Sequence, residues 1–146
     1  MLSIKYSAVV LFITAILFII VNGANPNYML QLVNAERKKN NLPALTLDSR
    51  LTKAAQNHAD YMASIKTLTH NDKSGDTGAR IKSQGYSWSA YGENIAYGQK
   101  NEVEVMKTWM NSPFHKENIL DKRFKNLGVG YSSNGNYWTQ DFAAPI

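Results

Sequence analysis

The sequence predicts an α+β domain with an antiparallel sheet, and three observations carry that prediction. Apolar residues recur at helical spacing through the first part of the chain, two alternating stretches around an Asn-Gly turn close it, and the 146 residues are 44% hydrophobic and 18% charged. Helices followed by a hairpin bury their apolar stripes against its sheet, which is the α+β arrangement. The composition suits one compact domain with its own core.

The first residues do not belong to that domain. Lys5 is followed by an uncharged apolar run over residues 8–21, too short to span a bilayer comfortably, and then by Asn22, Gly23, Ala24, Asn25 and Pro26. A basic start, an apolar centre and small residues are the order of a secretory signal peptide. Residues 1–23 are therefore expected to be cleaved after Gly23, leaving a domain over residues 24–146 that is secreted, extracellular and without a stable membrane anchor. Of the 16 Lys and Arg residues only Lys5 lies in that segment, so the net charge of +5 falls by one on cleavage. The clusters Arg37-Lys38-Lys39 and Lys122-Arg123 with Lys125 sit at helix ends or in loops, where they suit helix dipoles and solvated faces, and no nucleic-acid partner is expected. There is no cysteine. That excludes thiolate metal sites and cysteine catalysis, and leaves packing and hydrogen bonds to hold the fold.

Asn25-Pro26 reads as a helix start, because Asn caps free amides and Pro is tolerated in the first turn. Met29, Leu32, Val33 and Glu36 follow at helical spacing up to Asn40-Asn41. Residues 42–47 read as an extended connector, and Asp48 as the cap of a second helix running to about Ser64. On it Leu51, Ala54, Ala55, His58 and Met62 share one face, so His58 points inward as a hydrogen-bonded structural residue. Residues 76–85 read as a short helix stopped by Gly85. Asn101 caps the next helix with Glu104 in a capping box, and places Val105, Met106, Trp109 and Met110 on its buried side, Trp109 as core. Ser112-Pro113 breaks that helix, and residues 114–120 form one more short turn. Residues 127–131 and 137–142 alternate around Asn134-Gly135 as a hairpin.

The stretch Tyr91-Gly92-Glu93-Asn94-Ile95-Ala96-Tyr97-Gly98 carries a carboxylate among aromatic and aliphatic residues, where an ionised group needs a partner. His70, at the start of a polar loop, and His115, just after the Ser-Pro break, are the candidates. Two imidazoles and a carboxylate are the minimum for a zinc-type site with an open position. The same groups serve acid and base chemistry without metal, or tie loops together by charge-assisted hydrogen bonds. No HExxH pair or Gly-x-Ser-x-Gly elbow selects among these readings.

Motifs in sequence order narrow the choice. Leu32-Val33-Asn34-x-x-Arg37, Ala55-Gln56-x-His58-Ala59-x-x-Met62, His70, Gly92-Glu93-Asn94-Ile95-Ala96, Trp109-Met110-x-Ser112-Pro113-x-His115-x-x-Asn118-Ile119-Leu120, Leu127-Gly128-Val129-Gly130 and Tyr137-Trp138-Thr139-Gln140 closely resemble the CAP superfamily. This is the group of cysteine-rich secretory proteins, antigen 5 and pathogenesis-related 1 proteins, also called the SCP domain, here in a cysteine-free form like that of bacterial and some fungal members. The resemblance implies a three-layer α-β-α sandwich with a central antiparallel sheet, a central cleft and an extracellular location. It also implies that His70 and His115 hold a divalent metal such as zinc, that Glu93 lines the cleft with Ser112, and that His58, Asn94 and Trp109 are structural. The family's second acid falls at Ser112, so Glu117 or Glu104 are the nearby carboxylates that could replace it. A monomeric, non-enzymatic binding protein follows, taking a metal or small ligand in the cleft and a small hydrophobic ligand or sterol in a separate groove. The alternatives are a secreted peptidase or esterase that uses Glu93, His70 and His115, and a module for an extracellular protein partner with a vestigial cleft.

Overall fold

The computed structural model describes residues 23–146, so the expected signal peptide, apart from Gly23, lies outside the described residues. The elements in order are α1 (Pro26–Lys39), β1 (Thr46–Leu47), α2 (Ser49–Ile65), α3 (Thr77–Ser83), β2 (Trp88–Tyr97), α4 (Glu102–Met110), α5 (Pro113–Ile119), β3 (Asn126–Ser132) and β4 (Tyr137–Pro145). Each helix start has a local cause. The Asn25 side chain accepts from the backbone N–H groups of Asn27 and Tyr28, Asp48 from Arg50, Asp76 from Ala79 and Asn101 from Glu104. Ser112 stands at the cap position of α5 without making a side-chain cap bond.

The sheet has the order β1-β3-β4-β2. β4 pairs antiparallel with both β3 and β2, and the two-residue β1, at the end of the predicted connector, adds a short parallel strand outside β3. Helices cover both faces, α2 and α3 on one side and α1, α4 and α5 on the other. The α+β class and the three-layer sandwich stand. Side-chain alternation sorts the core between the layers. Leu127, Val129, Trp138 and Phe142 pack with Met29, Val33, Val105, Trp109 and Ile119, whereas Ala143 packs with Leu51, Ala54, Ile81 and Tyr86. On the α2 side β3 presents only glycine at positions 128 and 130. A Cβ there would lie 2.1 Å from the Leu51 carbonyl carbon or 2.2 Å from the Ala55 carbonyl oxygen, so the helix backbone rests directly on the strand.

Two strand features were not legible beforehand. The Glu93 segment is the interior of a ten-residue strand, and β4 is buried from Tyr137 to Ala144, polar residues included. The free edge of β2 is closed by side chains, since the Trp109 indole donates to the Ile95 carbonyl at 3.2 Å and Asn118 Nδ2 to the Glu93 carbonyl at 3.1 Å.

Candidate functional site

Glu93 and Asn94 are neighbours on β2 and point to opposite faces, and the site is built around that divergence. On the α2 face Glu93 is buried. His70 Nδ1–H donates to Glu93 Oε1 at 2.8 Å, and Arg80 of α3 donates from Nη2 to Oε2, so both carboxylate oxygens are engaged. Arg80 Nη1 also donates to the His70 carbonyl at 2.7 Å, and its Nε faces Asp72 at 3.7 Å. Burial pushes the Glu93 carboxyl up, but the hydrogen bond from His70, the neighbouring Asp141 carboxyl and the Arg80 charge outweigh it and leave the group below its ordinary value.

His58 is fully buried on α2. Its Nε2 lies 2.7 Å from the Thr69 carbonyl and its Nδ1 3.3 Å from Asp72, so it staples α2 to the loop that carries His70. It stands 3.9 Å from Glu93 Oε1, too far for a hydrogen bond. The His70 side chain is 57% exposed, and its Nε2 has no protein partner among the described residues.

On the opposite face Asn94 is met by neutral amides and a carbonyl. Asn94 Nδ2 donates to the His115 carbonyl at 3.0 Å and to Gln140 Oε1 at 3.2 Å, while Asn118 Nδ2 donates to Asn94 Oδ1 at 2.9 Å. These bonds fix α5 on the edge strand. Arg37, buried in α1, fixes its far end by donating to the carbonyls of Ile119 and Asp121. The Ser112 hydroxyl lies 2.8 Å from His115 Nδ1, which explains why it leaves the helix uncapped. Burial, and then the charge of His70, hold the His115 imidazole below its ordinary value. The two histidines thus come from opposite layers and feel one another at the β2 edge. Trp109 is wholly buried in the core below them.

Neither candidate for the second acid joins the group. The Glu104 carboxylate accepts from the Lys100 N–H and Asn101 at the start of α4, and Glu117 is exposed on the side of Arg123. The structure instead brings Arg80, Asp72 and Asp141 to Glu93. Sequence reasoning missed all three. Arg80 and Asp72 read as ordinary helix and loop charges, whereas Asp141 carried a signal, a carboxylate inside the apolar strand Tyr137–Pro145.

Comparison with known proteins agrees with the architecture. The profile of the CAP family, described as the cysteine-rich secretory protein family, matches residues 30–142. The chain is 42% identical over 115 residues to YkwD of Bacillus subtilis, a match that takes in 78% of this chain and 45% of that protein. An extracellular protein of Bacillus anthracis containing an SCP domain superposes with a TM-score of 0.77 at 29% identity, over 81% of this chain and 39% of that one. An outer surface protein of Borrelia burgdorferi gives 0.76 at 24% identity over 82% and 92%, a likeness of fold. The chain therefore spans less than half the length of its Bacillus relatives.

Proposed function

Because the chain belongs to the cysteine-rich secretory protein (CAP) family, we propose that it is a secreted, extracellular binding protein whose cleft uses His70 and His115 to take a divalent cation or a small ligand. The observation that carries this is the anchoring of the two rings. Each is held through Nδ1, by Glu93 or by Ser112, while Nε2 has no protein partner among the described residues. A carboxylate or hydroxyl behind the ring is the usual support for an imidazole ligand. Secretion rests on the apolar leader, and among the described residues no helix is long and apolar enough to cross a membrane.

Zinc fits the donor chemistry in part. Neutral imidazoles suit it, but among the described residues no group of three or more His, Cys, Asp and Glu side chains is arranged to hold a metal. The protein would therefore contribute two donors, His70 and His115, and a ligand or water the others. A cation held there supplies a positive anchor for an anionic or carbonyl-bearing ligand. Catalytic zinc centres ordinarily have three protein ligands. That shortfall, with both oxygens of Glu93 already engaged, favours binding over hydrolysis by a Glu93-activated water.

Native mass spectrometry and zinc titration calorimetry on the secreted protein test the reading. One zinc bound per chain, lost in the double variant His70→Ala/His115→Ala with the fold intact, is the expected result. Equal zinc binding by wild type and double variant would sink it, and turnover of a peptide or ester abolished by Glu93→Gln would replace it with the hydrolase.

A second observation favours a separate lipid site. Leu32, Ala35, Val103, Met106 and Met110 line a groove of about 390 Å³ between α1 and α4, with Lys107 and the Lys39–Glu36 ion pair also on its walls. An acyl chain with an anionic head suits that lining. Fatty-acid binding that weakens in Met106→Glu, with zinc binding unchanged, is the expected outcome.

A further inference from the structure

Asp141 lies in the middle of β4, in register with Glu93 on β2 and with Gly128 on β3. Its side chain faces α2, on the side where Gly128 lets the helix backbone rest on the sheet. It is 0% exposed, and among the described residues neither carboxyl oxygen has a protein N–H or O–H donor within hydrogen-bond geometry. An ionised carboxylate sealed away without a donor is among the least favourable groups a protein can bury.

The charged and titratable groups around it offer no relief. Glu93 on β2 and Asp72 before α3 are acids of the same sign, and His58 on α2 is committed to Thr69 and Asp72. Among the described residues Arg80 on α3 is the one Lys or Arg side chain that acts on Asp141. Its Nη1 goes to the His70 and Gly75 carbonyls, its Nη2 to Thr77 and Glu93, and its Nε faces Asp72. An ionised Asp141 would put three carboxylates against a single guanidinium.

We propose that Asp141 is a positioning residue, buried as the carboxylic acid with its O–H donating to Glu93, so that it completes the set of donors that aims the Glu93 carboxylate at His70. Burial, and then the Glu93 charge, push the Asp141 carboxyl well above its ordinary range, in keeping with that arrangement. Glu93 then has three donors from three parts of the fold: His70 in the loop, Arg80 on α3 and Asp141 within the sheet. The neutral acid also keeps Glu93 and Asp72 as the two acids that share Arg80 beneath the histidine that faces the cleft. This deepens the reading of the cleft as a cation site and rests on it for its purpose, although not for its test.

The test uses the intact secreted protein without added metal. Isotope-edited infrared spectroscopy with labelled aspartate is expected to show one protonated-carboxyl carbonyl band at neutral pH, absent in Asp141→Asn. Because the native state keeps a proton that the unfolded chain releases, the unfolding constant of the wild type relative to Asp141→Asn should rise about tenfold per pH unit above roughly pH 5, until Asp141 ionises. The His70 Nδ1–H resonance should survive in Asp141→Asn, whose amide still donates, and shift or broaden in Asp141→Leu. If Asp141→Leu does not fold, the infrared band and the pH slope decide alone. A missing band, or a stability difference flat with pH, overturns the proposal whether or not the cleft binds zinc. Loss of the cation reading with the band present leaves it standing.

Discussion

The two faces of β2 hold the two histidines by opposite means. On the α2 face an ionic cluster of Glu93, Arg80 and Asp72 positions His70, and on the α5 face the amides of Asn94, Asn118 and Gln140 position His115. An ionic cluster under a low-dielectric layer is strong when complete and fails badly when one member is removed. An amide network loses less per group, and its strength does not follow pH. The pairing gives one histidine a mount that responds to charge and the other a mount that does not.

Removing Arg80 should break the contrast most forcefully. Arg80→Ala leaves the buried Glu93 without its guanidinium partner and is expected to lower the unfolding free energy by about 3–5 kcal/mol in urea titrations. Asn94→Ala comes next. It frees the Gln140 amide oxygen and the His115 carbonyl, at a cost of about 1–3 kcal/mol that should be the same at pH 5 and pH 8. If the two losses were equal, or if the Asn94→Ala loss varied with pH, the distinction between the faces would fall.

The pH response sharpens it further. The Glu93 carboxyl is held below its unfolded value, so its contribution is complete above about pH 4.5 and is lost as the pH falls further. The His115 imidazole is also held low. There the native state binds fewer protons than the unfolded chain, so stability declines as the pH drops below about 6.5. His115→Gln should remove the decline near pH 6 and leave the one near pH 4, in thermal melts across the range. Zinc affinity, if the cleft reading holds, should fall over the same upper range, because protons compete for the imidazoles.

Ser112→Ala is the smallest change in stability, about 0.5 kcal/mol or less, since no helix cap is lost with the hydroxyl. Its effect should appear in zinc titrations, as weaker binding through a less well oriented His115.

Much of this fold was legible because its helices announce themselves locally. Asn25, Asp48 and Asn101 each cap the helix that the sequence assigns to them, and Asp76, read there as the first residue of a short helix, caps it. The strand under Glu93 was not legible. A period of two reveals a strand only when one face is wet, and β2 is buried on both faces from Glu93 to Ala96. The same burial hid the partners of Glu93. Asp141 is 48 positions away and meets it only through strand register, while Arg80 meets it because α3 lies against β2. His70, His115 and Glu93 stood out as residue types in unusual settings, but the charges that position them depend on topology, which no local pattern encodes.

The closure of the β2 edge has a further consequence. The Glu93 and Ile95 carbonyls, two residues apart and so on the same edge, are already engaged by Asn118 and Trp109. A strand with a free row of such acceptors is a template on which a second chain can extend the sheet. Here the side chains that support the cleft occupy those positions, so the outermost strand is shielded from edge-to-edge polymerisation. Asn118→Ala would therefore be a variant to watch for fibre formation as much as for lost binding, because it reopens the edge at its centre.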